Sequence, residues 1–137
     1  VIDDTPNEFP RCNEACSTTE HRYGWTVAAS LEPSEPWQTV KHDLRSGARE
    51  EFDHGQGRQA GESVFVAREG ATAEDDGWLL TFVNDLNTGS AEFVVMDAAD
   101  FSRSEYVARV PLPQRVPFGF HGNWVSDTSV PPPEASD

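Results

Sequence analysis

Apolar and polar residues alternate along this chain in short runs, and no segment longer than a turn or two repeats with the 3.6-residue period of a helix. Residues 21–29 are rich in aromatic and β-branched side chains and predict a strand, which the prolines at Pro33 and Pro36 close off. Loose alternation over 37–43, a turn ending in Gly47 and a polar return over 48–53 predict a hairpin at a sheet edge. Residues 62–68 alternate with period two. The two most apolar runs, 78–83 and 91–96, are joined by Asn84-Asp85-Leu86-Asn87-Thr88-Gly89 and form the clearest hairpin; their near-continuous hydrophobicity predicts cover on both faces. A last alternating strand is expected over 106–110. Residues 1–19, with Pro6 and Pro10, read as extended chain and loop, and residues 126–137, with Pro131, Pro132 and Pro133, as a disordered Pro-rich tail. The prediction is an all-β protein of antiparallel hairpins.

The 137 residues are enough for one ordinary domain. Ten Lys and Arg stand against 24 Asp and Glu, a net charge of −14 spread through the chain. Such a surface repels phosphate backbones and anionic lipid, which argues against nucleic acid and membrane surfaces as partners. It suits solubility or adaptation to salt better than capture of a cation. No apolar run approaches the roughly 20 residues of a membrane helix, and no basic, apolar-centred leader is visible, so the expectation is a cytoplasmic chain without an integral membrane segment. The sequence starts at Val1, and a leader or domain before it would not be seen.

Three features invite chemistry and are better explained without it. Cys12 and Cys16 cannot make a disulfide scaffold, and no second Cys or His pair completes a four-ligand zinc site, which favours free thiols in a loop over a local disulfide and, last, a metal role. The Gly-x-Gly at Gly55 and Gly57 is followed by an alternating strand, whereas a phosphate cradle opens a helix. The acidic turn Glu74-Asp75-Asp76-Gly77 lacks the oxygen ligands at loop spacing that calcium needs.

His121 is different. It sits in Pro117-Phe118-Gly119-Phe120-His121-Gly122-Asn123-Trp124, where a proline fixes the approach, glycines let backbone pass and aromatic side chains supply apolar walls. Such a histidine either caps a strand end or is aimed at a ligand. Glu8, in Asn7-Glu8-Phe9-Pro10, reads by itself as a solvated carboxylate, and Glu62 opens a strand directly after Gly61, from where it can point to the end of a sheet.

Several of these blocks agree with one known family. Glu74-Asp75-Asp76-Gly77-Trp78-Leu79-Leu80-Thr81, Val94-Val95-Met96-Asp97-Ala98 and the stretch from Val110 to Trp124 resemble the C-terminal part of the carotenoid cleavage oxygenases. That family includes bacterial lignostilbene and apocarotenoid dioxygenases and the vertebrate retinoid isomerase. Asn7-Glu8-Phe9-Pro10-Arg11, His21-Arg22-Tyr23-Gly24 and Gly61-Glu62-Ser63-Val64-Phe65-Val66 resemble its preceding blocks in the same order.

The resemblance implies a seven-bladed β-propeller carrying a non-haem Fe(2+) on its axis, held by four histidines, three of them steadied by glutamates. His121 would be the last iron ligand, Glu8 and Glu62 two of the glutamates, and Phe120 a wall of the substrate tunnel. An all-histidine set leaves iron without an anionic protein ligand, and carboxylates behind the ring N–H groups restore charge and fix the rings. His21, His42 and His54 do not fall on the family's ligand positions. The other three ligands and most blades would lie upstream, so residues 1–125 are expected to be about two blades of a longer enzyme, inactive by themselves, with the rest of the propeller missing. That enzyme would use O2 to cleave a conjugated C=C bond of an apocarotenoid or stilbene-like olefin into two carbonyl products. The alternative is a non-catalytic β fragment or binding module without tightly bound metal.

Overall fold

The computed structural model describes residues 2–30, 32 and 35–129. Among the described residues nine strands follow one another: β1 (Asn7–Arg11), β2 (Tyr23–Ala28), β3 (Gln38–Asp43), β4 (Arg49–Phe52), β5 (Arg58–Ala60), β6 (Val64–Ala67), β7 (Gly77–Asp85), β8 (Ser90–Asp97) and β9 (Ala108–Pro111). The only helical pieces among the described residues are 3-10 turns at Glu14–Cys16 and Asp127–Ser129. None is long or apolar enough to cross a membrane. The all-β, antiparallel reading holds. One sheet has the order β1-β2-β3-β4; the other has the order β5-β7-β8-β9, with β6 also paired to β7.

Alternation places the core between the two sheets. Trp25 from β2 and Phe52 from β4 pack with Phe65, Leu79 and Met96 from the second sheet, closed by Ala98 and Phe101. The Trp25 indole stacks on the Phe65 ring with centroids 5.1 Å apart and planes 11° from parallel. Main-chain bonds bind the sheets where β5 passes β3: Trp37 N donates to Arg58 O at 3.1 Å, and Ala60 N to Trp37 O at 3.1 Å.

The acidic turn before β7 is a second staple. Glu74 accepts from the main-chain N–H groups of Arg22 (2.8 and 3.0 Å) and Tyr23 (2.7 Å). Asp75 pairs with the buried Lys41 ammonium at 2.6 Å. Gly77 follows because nothing larger fits: a Cβ there would lie 2.5 Å from Val66 O and 2.6 Å from the Phe65 ring.

The structure departs from the sequence pattern in three places. Residues 7–11, expected to be loop, form an edge strand with a register shift between Glu8 and Arg11, a setting that tolerates Pro10. Residues 58–60, inside the glycine-rich loop, form β5, into which Gly55 (φ 97°) and Gly57 (φ 72°) turn the chain. The β7–β8 hairpin is packed tightly on one face and only partly covered on the other. Leu79, Val83, Val94 and Met96 are fully buried, whereas Phe82 on the other face is 44% exposed and rests on Phe93, ring centroids 5.3 Å apart. The proposed tail falls mostly on residues 130–137, which lie outside the described residues.

Candidate metal-ligand site and apolar cleft

After β9 the chain runs from Leu112 to Ser126 without entering a strand and crosses the open Phe82–Phe93 face of the second sheet. His121 lies on this crossing. Its position is set by Glu62, whose side chain is only 6% exposed and sits one residue after Gly61, ahead of β6. One carboxylate oxygen, Oε1, lies 3.1 Å from His121 Nδ1, and the other, Oε2, accepts the Gly122 N–H at 2.8 Å. An ionised carboxylate only accepts, so in the neutral ring the proton is on Nδ1 and Nε2 keeps its lone pair. The His121 side chain is 76% exposed. The result is an imidazole fixed at its back and open at its front.

Two residues of β1 complete the setting. Arg11 Nη1 lies 3.4 Å from Glu62 Oε1 and donates to Gly122 O at 3.1 Å, while Nη2 reaches Asn123 Oδ1 at 3.2 Å and Glu14 Oε1 at 2.7 Å. Phe9 meets the imidazole edge to face, centroids 6.2 Å apart at 89°. Within Asn7-Glu8-Phe9-Pro10-Arg11 the sequence singles out Glu8, whereas the structure brings Phe9 and Arg11 to the His121 loop.

In front of His121 lies a cleft of about 560 Å³, lined by Phe9, Leu80, Phe82, Phe93, Phe118 and Trp124 among others. Phe120 lines it too and is 79% exposed. Arg115 lies over the Phe118 ring at 4.9 Å, and Trp37 packs on the same ring at 5.8 Å. The arrangement offers one nitrogen lone pair beside a wide aromatic surface.

The other candidate residues lie elsewhere. Glu8 is exposed on β1 and its carboxylate makes no hydrogen bond or ion pair among the described residues, so the structure unites Glu62 with His121 and leaves Glu8 apart. His42 is buried, its Nε2 2.8 Å from Thr26 Oγ1. His54 is buried between Thr39 Oγ1 (2.9 Å from Nε2) and the Tyr106 hydroxyl (2.8 Å from Nδ1). Burial, with the Arg58 guanidinium nearby, holds its imidazole down at about 3. His21 Nδ1 lies 3.4 Å from Thr19 O. Cys12 and Cys16 are free thiols. Among the described residues no three His, Cys, Asp or Glu side chains gather as a metal set.

Residues 1–126 match the family described as retinal pigment epithelial membrane protein. A carotenoid 9,10(9',10')-cleavage dioxygenase of Crocus sativus is 40% identical over 138 residues, covering 90% of this chain and 25% of the relative. The carotenoid cleavage oxygenase of Mycobacterium tuberculosis is 36% identical over 134 residues, covering 92% and 26%. Among solved structures, cobalt-substituted Synechocystis apocarotenoid oxygenase superposes with a TM-score of 0.82 at 31% identity, over 90% of this chain and 26% of that one. The chain thus spans about a quarter of the length of the curated relatives it matches. Its two antiparallel sheets are a portion of a β-propeller, and the chain belongs to the retinal pigment epithelial membrane protein family, that of the carotenoid cleavage oxygenases.

Proposed function

We propose that this chain is the C-terminal part of a non-haem Fe(2+) dioxygenase that cleaves a conjugated C=C bond of an apocarotenoid or stilbene-like olefin with O2, giving two carbonyl products. One observation carries the reading: the buried Glu62 carboxylate holds His121 by Nδ1 and leaves Nε2 free at the mouth of an aromatic cleft. A neutral imidazole backed by a carboxylate is the donor that divalent transition metals take, because the carboxylate fixes the ring and raises its basicity. The donor set therefore fits a metal, with His121 as one ligand and the others drawn from the remainder of the protein. That a Synechocystis relative exists in cobalt-substituted form supports a metal centre.

Bound iron would supply the redox chemistry by which O2 adds across the double bond. This chain's residues have other tasks. His121 presents Nε2, Glu62 keeps the proton on Nδ1 and sets the ring plane, and the Gly122 N–H anchored on the same carboxylate stops the loop from swinging. The cleft binds an apolar polyene by removing its surface from water, worth about 25 cal/mol per Å² buried. Phe120 serves as one wall. Glu8, with no partner of its own here, would stand behind a histidine of the remaining blades. The chain alone, with one candidate ligand, is proposed to be metal-poor and inactive.

The test uses the full-length protein, loaded with iron under anaerobic conditions and then mixed with air and either an apocarotenal or a hydroxylated stilbene. Two aldehyde or ketone products from one of these, seen by mass spectrometry, is the expected result. Iron-loaded protein that leaves both substrates intact would overturn the proposal.

A further inference from the structure

We infer that Arg11 is a positioning residue for His121, acting through Glu62 and the Gly122–Asn123 backbone; the inference rests on the reading of His121 as a metal ligand. The loop carrying His121 belongs to no strand, so its placement depends on a few contacts. Glu62 provides two of them, to His121 Nδ1 and Gly122 N. Arg11 provides two more, to Gly122 O and Asn123 Oδ1. The two peptide groups that flank Gly122 are therefore both held, the N–H of one by the carboxylate and the carbonyl of the other by the guanidinium.

Arg11 also solves an electrostatic problem. The Glu62 side chain is 6% exposed, and a carboxylate so buried needs a compensating charge. With His121 neutral, as a metal ligand must be, Arg11 at 3.4 Å is the only cation paired with Glu62 among the described residues. The guanidinium is itself 17% exposed and shares its second nitrogen with the exposed Glu14, which screens that competing pair.

The backbone of β1 is bent to make this possible. Between Glu8 and Arg11 the register slips by one residue, from Glu8 opposite Val27 to Arg11 opposite Trp25. Paired residues share a face of the sheet, and Trp25 faces the second sheet, where it stacks on Phe65. The bulge therefore turns Arg11 toward the sheet that carries Glu62. Its cost is visible at Phe9, which sits at φ 54°, a left-handed conformation that bulky residues rarely adopt. A bulge that re-aims a side chain beside a site is a recurring device in sheets.

The experiment compares Arg11→Ala, Arg11→Lys, Asn123→Ala and His121→Ala in the full-length protein, titrated with Co(2+) and followed by its visible absorption and by chelator competition, with melting measured alongside. Arg11→Ala is expected to weaken Co(2+) binding about 10-fold or more, the range seen when groups behind a ligand are removed, and to shift the cobalt band. Arg11→Lys, which keeps the charge, should recover part of that loss, and Asn123→Ala, which frees one arm of the grip, should show a smaller shift. If Arg11→Ala does not fold, the Lys and Asn123 variants carry the test. An unchanged band and affinity in the Arg11 variants, with only the melting temperature lowered, would overturn the assignment when His121→Ala has lost the metal. Tight Co(2+) in His121→Ala would overturn the reading of His121 as ligand, and this inference with it.

Discussion

In His54 both ring nitrogens are taken, whereas in His121 only one is. His54 lies between the sheets with a hydroxyl on each side, Thr39 at Nε2 and Tyr106 at Nδ1, and each hydroxyl can donate or accept, so either tautomer is satisfied. It is also packed against the Phe52 ring, centroids 5.0 Å apart. His121 has a carboxylate at Nδ1, which only accepts, and open space in front of Nε2. What stands at each ring nitrogen separates a core histidine from a ligand candidate. A histidine between hydroxyls is a core residue that happens to be polar, while one backed by an anion and open on the other side is prepared for a cation.

Replacing His54 by Ala probes the first half of that contrast most severely. It removes a buried ring and strands two hydroxyls, so unfolding by urea should show a loss of about 3 kcal/mol with metal binding unchanged. A loss of metal in this variant would erase the distinction between the two sites. Glu62→Gln attacks the second half. Both partners of the carboxylate, the His121 Nδ1–H and the Gly122 N–H, are donors, and an amide offers a single acceptor oxygen. Metal affinity in the full-length protein should fall roughly 10- to 100-fold, as read by chelator competition.

Acid sharpens the comparison further. The folded His54 titrates at about 3, far below the ordinary value near 6.5, because burial disfavours the charged ring. The unfolded chain therefore binds more protons than the folded one between these values. Stability from this group is complete above about pH 6.5 and drains away as pH falls toward 3, at up to about 1.4 kcal/mol per pH unit. Buried His42 is shifted in the same direction by the same cause. Urea midpoints measured from pH 7 down to pH 4 should fall, and His54→Gln, which keeps a donor and an acceptor, should flatten the slope. The smallest effect is expected at Phe120. Being 79% exposed, it should change stability by less than about 0.5 kcal/mol when cut to Ala, while KM for the olefin rises several-fold.

Most strands were legible as short β-branched and aromatic runs bounded by turn residues; burial then alternates along 23–28 and most of 77–85, whereas β6 buries the adjacent Val64 and Phe65. Where the pattern failed, a different physics was in charge. Strand β1 hides behind Pro10 and a bulge, and β5 is three residues long, held by partners at β7 and Trp37 that no local pattern reveals. His54 looks like part of a polar glycine loop, and only the meeting of β3, β4 and Tyr106 buries it. The approach of Glu62 to His121 spans 59 residues. Family resemblance named both, but alternation could not have paired them, and Arg11 joins them only because the bulge turns it.

Metal content decides whether His121 Nε2 is a metal ligand. The full-length protein and its His121→Ala variant would be loaded with Fe(2+) without oxygen, desalted and assayed for iron per chain and for chelator-competed affinity. Stoichiometric iron is expected in the parent, with a loss of more than about 100-fold in affinity in the variant, beyond what removal of an outer carboxylate produces. Stoichiometric, equally tight iron in His121→Ala would contradict that role.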